Sequence, residues 1–279
     1  MDTNSNQARR VVIGITAHVD AGKTTLAEAM LYRTGRLRKL GRVDHGSAAM
    51  DSHLLERERG ITIFSSQAEL PIGDLEVTLL DTPGHVDFSA EMERTLSVLD
   101  YAILVISGAD GVQAHTRTLW RLLELYRIPT FLFVTKMDFG RCGRGQMMEH
   151  LRHELGEGCV DFTPADRERR MEQLATCRED ALEVYLDGGE VPDALVRQLV
   201  GRRLVFPCWF GSGLKLEGID EFLEGLARYV EPPVYPETFS ARVFKISHDP
   251  QGKRLTHLKV TGGTLRVRDA VPYAGHQEK

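Results

Sequence analysis

At 279 residues the chain is longer than one hydrophobic core comfortably serves, so about two domains are expected. A hydrophobic content of 42% and a charged content of 27% are globular values. The net charge of −5 excludes a global basic field of the kind that advertises nucleic acid, although a basic face can sit within an acidic average. Cys142, Cys159, Cys177 and Cys208 lie far apart with no CxxC pair, which argues against a zinc cluster and against a disulfide framework. The start, MDTNSNQARR, is polar, and the longest apolar run, YAILVI, is too short to span a bilayer. No membrane partner is expected, and the chain reads as cytoplasmic.

Taken in order, short apolar runs alternate with helical patterns: VVIGITA, TTLAEAMLYRTG, LEVTLLD, VDFSAEMERTLSVL, YAILVIS, HTRTLWRLLELYR and TFLFVTK. That rhythm predicts an α/β fold, a parallel-rich sheet with helices on both faces. Two strands near 63–70 and 75–80, parted by PIGD, predict a hairpin at one edge. Residues 140–203 turn charged and helical and read as an insertion. The rhythm resumes with RRLVFPCWF and EGIDEFLEGLARYV, and 231–238, with EPPVYPE, reads as a linker. From 239 to 279 valine, threonine and glycine alternate, so a small β domain is expected after a nucleotide-binding domain at 1–230.

The first chemical signal is AHVDAGKTT, Ala17, His18, Val19, Asp20, Ala21, Gly22, Lys23, Thr24 and Thr25, which follows a predicted strand and opens a predicted helix. That context is what a P-loop requires. Backbone N–H groups wrap phosphates, Gly22 lets the chain approach closely, Lys23 neutralises the terminal phosphates and the Thr24 hydroxyl can hold Mg2+. The second is LLDTPGHVDF. Asp81 stands at the carboxyl end of a strand, where it can approach the Mg2+ shell, and the Gly84 amide can reach a γ-phosphate. His85, next to that amide, is expected to orient the attacking water. Residues 35–62 form a long segment ending in LERERGITI, from which Thr62 can offer Mg2+ a second hydroxyl. His115, in QAHTR, reads as a surface helix residue.

The base is read by VTKMD, residues 134–138. Asp138 can accept from the ring N–H and the amino group of guanine, a donor pair that adenine lacks. Lys136 can lay its aliphatic stem along the base. Thr135 stands where such boxes usually carry asparagine, so guanine selectivity is expected to survive with some loss of affinity. The backbone amides of Gly211, Ser212 and Gly213 can face the base carbonyl. GTP or GDP with Mg2+ are therefore the expected ligands.

These boxes, in this order and spacing, resemble the translational GTPases of the elongation factor G-like superfamily, over almost the whole chain. LGRVDHGSAAMDSHLLERERGITIFSSQ, the run containing DGVQAHTR, and VFKISHDPQGKRLTHLKVTGGTLRVRD are most similar to the tetracycline-resistance ribosomal protection proteins. The resemblance implies that His85 is catalytic, with Val19 and Ile61 as the apolar pair gating its approach. It also implies that Asp20 contacts the phosphate site and a monovalent cation, where the residue's own context also allows a loop or helix-capping aspartate. The ribosome, through rRNA and ribosomal proteins, is the implied partner, and elongation factor G-type translocation is the alternative activity. It further implies that 239–279 is an incomplete β-barrel and the chain an N-terminal fragment. The departures are Thr135 for asparagine and Gly-Ser-Gly where Ser-Ala is usual.

Overall fold

The computed structural model describes residues 9–38, 66–82, 89–139, 142–163, 167–249, 251–273 and 276–278. They divide into two compact units, Met1–Pro232 and Pro233–Lys279.

The first unit is built on one seven-stranded sheet. Its strands are β1 (Arg9–Ala17), β2 (Ser66–Ile72), β3 (Leu75–Asp81), β4 (Tyr101–Ser107), β5 (Thr130–Thr135), β6 (Cys159–Asp161) and β7 (Phe206–Phe210). Their spatial order is β2-β3-β1-β4-β5-β7-β6. Every pairing is parallel except β2 with β3. Helices α1 (Lys23–Arg33), α2 (Ser89–Leu96), α3 (Ala114–Leu125), α4 (Arg144–Leu155), α5 (Arg167–Thr176), α6 (Glu179–Gly188), α7 (Asp193–Gly201) and α8 (Ile219–Tyr229) connect them.

The central strands β4 and β5 are buried at every position because both faces are covered. In β4, Ile103 and Val105 enter one core with Leu26 and Met30 of α1 and Phe222 and Leu226 of α8. Ala102, Leu104 and Ile106 enter the other with Leu96 of α2, Leu119 and Leu123 of α3, and Leu151 of α4. This is the period-two alternation of a strand feeding two layers. Gly14 of β1 and Gly225 of α8 are packing residues: a Cβ at the first would stand 2.2 Å from Leu99, and at the second 2.2 Å from Trp209.

The edge hairpin differs in register from the expectation. The strand runs through Pro71 to Ile72, which pairs with Leu75, so the turn is Gly73–Asp74 alone. Gly73 has φ 61, the glycine-first geometry that matches the twist of a tight hairpin. Pro71 is tolerated inside β2 because β2 is the edge strand, where a missing N–H costs no ladder bond.

Residues 140–203 are woven into the unit. Strand β6 pairs with β7 in the main sheet. Leu174 of α5, Ala181 of α6 and Leu199 of α7 lie in the same core cluster as β1. Three residues are too few to show a strand period, which is why β6 was not anticipated.

In the second unit, β8 (Ser240–His248) and β9 (Arg254–Gly262) form an antiparallel hairpin, and β10 (Val271–Tyr273) pairs with β11 (His276–Glu278). Phe244 and Gly262 are the buried residues among those described there.

Candidate nucleotide site

Strand β1 sits between β3 and β4, so the chain passes from β1 to β2 and β3 on one side of it and then crosses to β4 on the other. The crevice outside the carboxyl ends of parallel strands at such a switch point is where open α/β sheets bind ligands. Ala17, the last residue of β1, and Lys23, the first of α1, bracket that crevice. The intervening loop turns on two left-handed residues, Asp20 (φ 61) and Gly22 (φ 94), and on an Ala21 N–H to His18 carbonyl bond of 3.1 Å. Gly22 is the N-cap of α1 and brings no side-chain cap. Asp20 therefore is not the helix cap, and the first-turn N–H groups of α1 point at the crevice, the arrangement that attracts phosphate.

Lys23 and Asp81 are both buried and form an ion pair at the carboxyl ends of β1 and β3. The neighbouring Thr82 is tied to β1, its hydroxyl donating to the Ile15 carbonyl at 2.8 Å and its N–H to the same oxygen at 3.1 Å. Among the described residues no group of three His, Cys, Asp or Glu side chains could hold a metal ion by itself. The donors that suit Mg2+ are instead oxygens from different elements: the half-buried Thr24 hydroxyl in the first turn of α1 and the Asp81 carboxylate. Hard oxygen donors completed by phosphate are the ordinary magnesium set.

Thr135 and Lys136 both grip the phosphate loop. The Thr135 hydroxyl lies 2.6 Å from the Ala21 carbonyl and 3.2 Å from that of Ile106. Lys136, in the left-handed region at φ 55, donates its ammonium to the Asp20 carbonyl at 2.6 Å. Two residues on, Asp138 pairs with Lys215 at 2.6 Å. That hydrogen bond holds the Asp138 carboxyl below its ordinary range and raises the Lys215 ammonium in turn.

The loop after β7 is a closed ring. Gly211 donates to Val134 at 3.0 Å, and Ser212 and Glu217 exchange two backbone bonds, each 3.0 Å. The Ser212 amide, expected to face the base, is thus committed to Glu217. Gly213 presses on α1, where a Cβ would stand 3.0 Å from the Thr25 carbonyl and 3.2 Å from the Leu26 nitrogen. That close approach accounts for glycine here.

His115 is not simply a surface residue. Its ring meets that of His18 edge-on at 5.8 Å. Buried His18 Nδ1 has no hydrogen-bond partner among the described residues. The structure therefore draws Ala17 to Thr25, Asp81, Thr135, Lys136, Asp138, Ser212 and Gly213 onto one rim of the sheet. Thr62, Gly84, His85 and Ile61 lie outside the described residues. Lys215 was missed from sequence, because one lysine in a short loop has no period or motif to mark it.

A glycine-bearing loop between a central parallel strand and its helix, with a buried lysine at the helix start, defines a P-loop nucleotide-binding domain. Residues 8–232 match the family model described as the elongation factor Tu GTP binding domain. The chain belongs to that family. It is 39% identical over 288 residues to the oxytetracycline resistance protein of Streptomyces rimosus. It is 34% identical over 276 residues to tetracycline resistance protein TetO of Campylobacter jejuni, and 36% over 279 residues to TetM of Ureaplasma urealyticum. Each comparison covers 93% of this chain and 43% of the relative, so the chain spans less than half the length of these proteins. A crystal structure from Thermus thermophilus superposes with a TM-score of 0.87 at 27% identity, covering 98% of this chain and 48% of that one. No helix among the described residues is long and apolar enough to cross a membrane.

Proposed function

We propose that this protein is a ribosome-dependent GTPase of the cytoplasm that protects the ribosome from tetracycline, binding it in the GTP state, dislodging the drug and leaving after hydrolysis. The observation that carries the reading is the 34–39% identity, over 93% of the chain, to proteins named for tetracycline or oxytetracycline resistance. In this reading Met1–Pro232 is the GTP-binding domain and Pro233–Lys279 belongs to a β-barrel domain.

The amides from Ala17 to Thr25 cradle the phosphates and Lys23 neutralises their charge, the work its buried position at the start of α1 suits. Thr24 and Thr62 would hold Mg2+ with support from Asp81, and Asp20 would offer an oxygen to a monovalent cation. Bound Mg2+ would offset the charge that develops on the phosphate oxygens. Asp138 reads the guanine edge, Lys136 covers its face, Gly213 turns its amide toward the base carbonyl with Ser212 behind it, and Thr135 braces the loops. The reaction is in-line attack of water on the γ-phosphate, with Gly84 sensing that phosphate and His85 orienting the water once the ribosome has moved it past Val19 and Ile61.

The test is cell-free translation at rising tetracycline, with GTP and with either the wild-type protein or His85→Ala. Translation is expected to persist at drug concentrations that silence the control, and the histidine variant should bind GTP normally but lose the rescue. No rescue, together with restored activity in an extract depleted of elongation factor G, would replace drug protection by translocation.

A further inference from the structure

We infer that Lys215 is a specificity-determining positioning residue, which keeps the Asp138 carboxylate ionised and aimed while the guanine base covers it. This rests on the reading of Asp138 as the acceptor of the base. The Lys215 ammonium stands 2.6 Å from Asp138 Oδ2.

An exposed ion pair is ordinarily weak, because two flexible side chains must be frozen to make it. Here the backbones on both sides are already fixed. Lys215 sits in the ring closed by the Ser212 and Glu217 bonds, with its own N–H 3.3 Å from Ser212 Oγ. Left-handed Leu216 (φ 59) and Gly218 (φ 72) shape its exit. Asp138 lies in a turn closed by the Phe139 N–H on the Lys136 carbonyl at 3.1 Å, and Lys136 is itself fastened to Asp20. The Asp138 side chain is only 24% exposed, so a flat base laid against it would remove much of its remaining water.

That burial has a chemical consequence. Stripping water from a carboxylate favours its protonated form, and a protonated acid spends one oxygen as a donor. Guanine presents two donors on its edge and needs both oxygens as acceptors. An ionised carboxylate has about four lone-pair sites, so it can take the two base hydrogens and the ammonium at once. Lys215 thus supplies, from within the chain, the stabilisation of the anion that water supplies before binding. The demand is sharper here than in a box with asparagine, because the Thr135 hydroxyl is turned to the Ala21 and Ile106 carbonyls. The base edge must then lean on Asp138.

Among the described residues the charged groups around the pair are few. On its own turn Asp138 has Lys136, whose ammonium is engaged by the Asp20 carbonyl, and across from it Lys215; Lys215 in turn feels Glu217 of its own loop. Asp138 is held below its ordinary pKa, so the acceptor is present at neutral pH and is lost as pH falls through that lowered value. Removing Lys215 moves the loss up toward the usual carboxylate range.

The experiment titrates the purified protein with labelled GDP and xanthosine diphosphate between pH 7 and 4, following folding by circular dichroism in the same samples. Lys215→Met is expected to weaken GDP binding about three- to tenfold at pH 7 and to shift its acid limb upward, while Lys215→Arg restores both. Asp138→Asn, run alongside, should transfer preference to xanthosine diphosphate. If Asp138→Asn switches preference while Lys215→Met leaves GDP affinity and the acid limb unchanged, or tightens binding, the role of Lys215 is overturned. If Asp138→Asn leaves GDP binding intact, the base-reading assignment fails and the inference falls with it.

Discussion

Thr135 has one hydroxyl hydrogen and faces two carbonyls, and distance assigns it mainly to Ala21, at 2.6 Å against 3.2 Å for Ile106. Thr135→Val keeps the shape and removes the donor, leaving the Ala21 carbonyl without this partner in a buried place. Such a loss costs about 1–3 kcal/mol. Urea unfolding should show a fall of that order, and a GDP titration should show roughly tenfold or greater weakening, whereas Thr135→Ser should stay near wild type. At this scale the placement of the described boxes was legible, because AHVDAGKTT, Asp81 and VTKMD fall at strand ends or a helix start that the apolar rhythm had already located. Two facts were not legible. The contact of His18 with His115 and the pairing of Asp138 with Lys215 join residues 97 and 77 positions apart, respectively. No local pattern encodes either.

Among elements, the junction of α3, β5 and β7 hangs on Arg203. Its backbone takes φ 58, and its guanidinium donates to the Ile128 carbonyl and, at 2.9 Å, to the Thr130 hydroxyl. It also lies over the rings of Trp120 and Phe206, 5.0 and 5.1 Å from their centroids. Burial pulls its pKa down to about 10, which still leaves it charged at neutral pH. Arg203→Met gives up two hydrogen bonds and two cation–π contacts and should lower stability by about 2–4 kcal/mol. Arg203→Lys should recover little, since one ammonium cannot reproduce the planar fork. The check is the urea midpoint at unchanged m-value. The long elements of this unit could be read from periodicity. What escaped was decided by contacts made far along the chain: the extension of β2 through Pro71, allowed by its place at the sheet edge, and β6, which exists because β7 is there to pair with it.

For the whole molecule, burial is distributed unequally. The central strands of the first unit are covered on both faces, while Val243, Ile246 and Leu255 of the β8–β9 hairpin are exposed, and Phe244 is its one buried large apolar residue among those described. Two-stranded ribbons with so little covered surface are marginal in water. Amide hydrogen exchange should therefore be fast in β8 and β9 and slow in β1, β4 and β5, approaching the global unfolding free energy only in the latter. Equal protection in the two units would contradict this account. The composition had already suggested a change near residue 239, because the valine, threonine and glycine alternation begins there. Composition could not show how little of that alternating surface is covered.

The two anchors of the loop before α1 have a mechanical meaning. Thr135 and Lys136 are consecutive residues, proposed to lie on the base side, and each is fastened to a carbonyl of the loop before α1, those of Ala21 and Asp20. On the proposed reading, grip on the base and grip on the phosphates therefore share one hinge. A partner that must expel spent nucleotide has no need to reach both halves: prying at either end of that hinge loosens the whole hold.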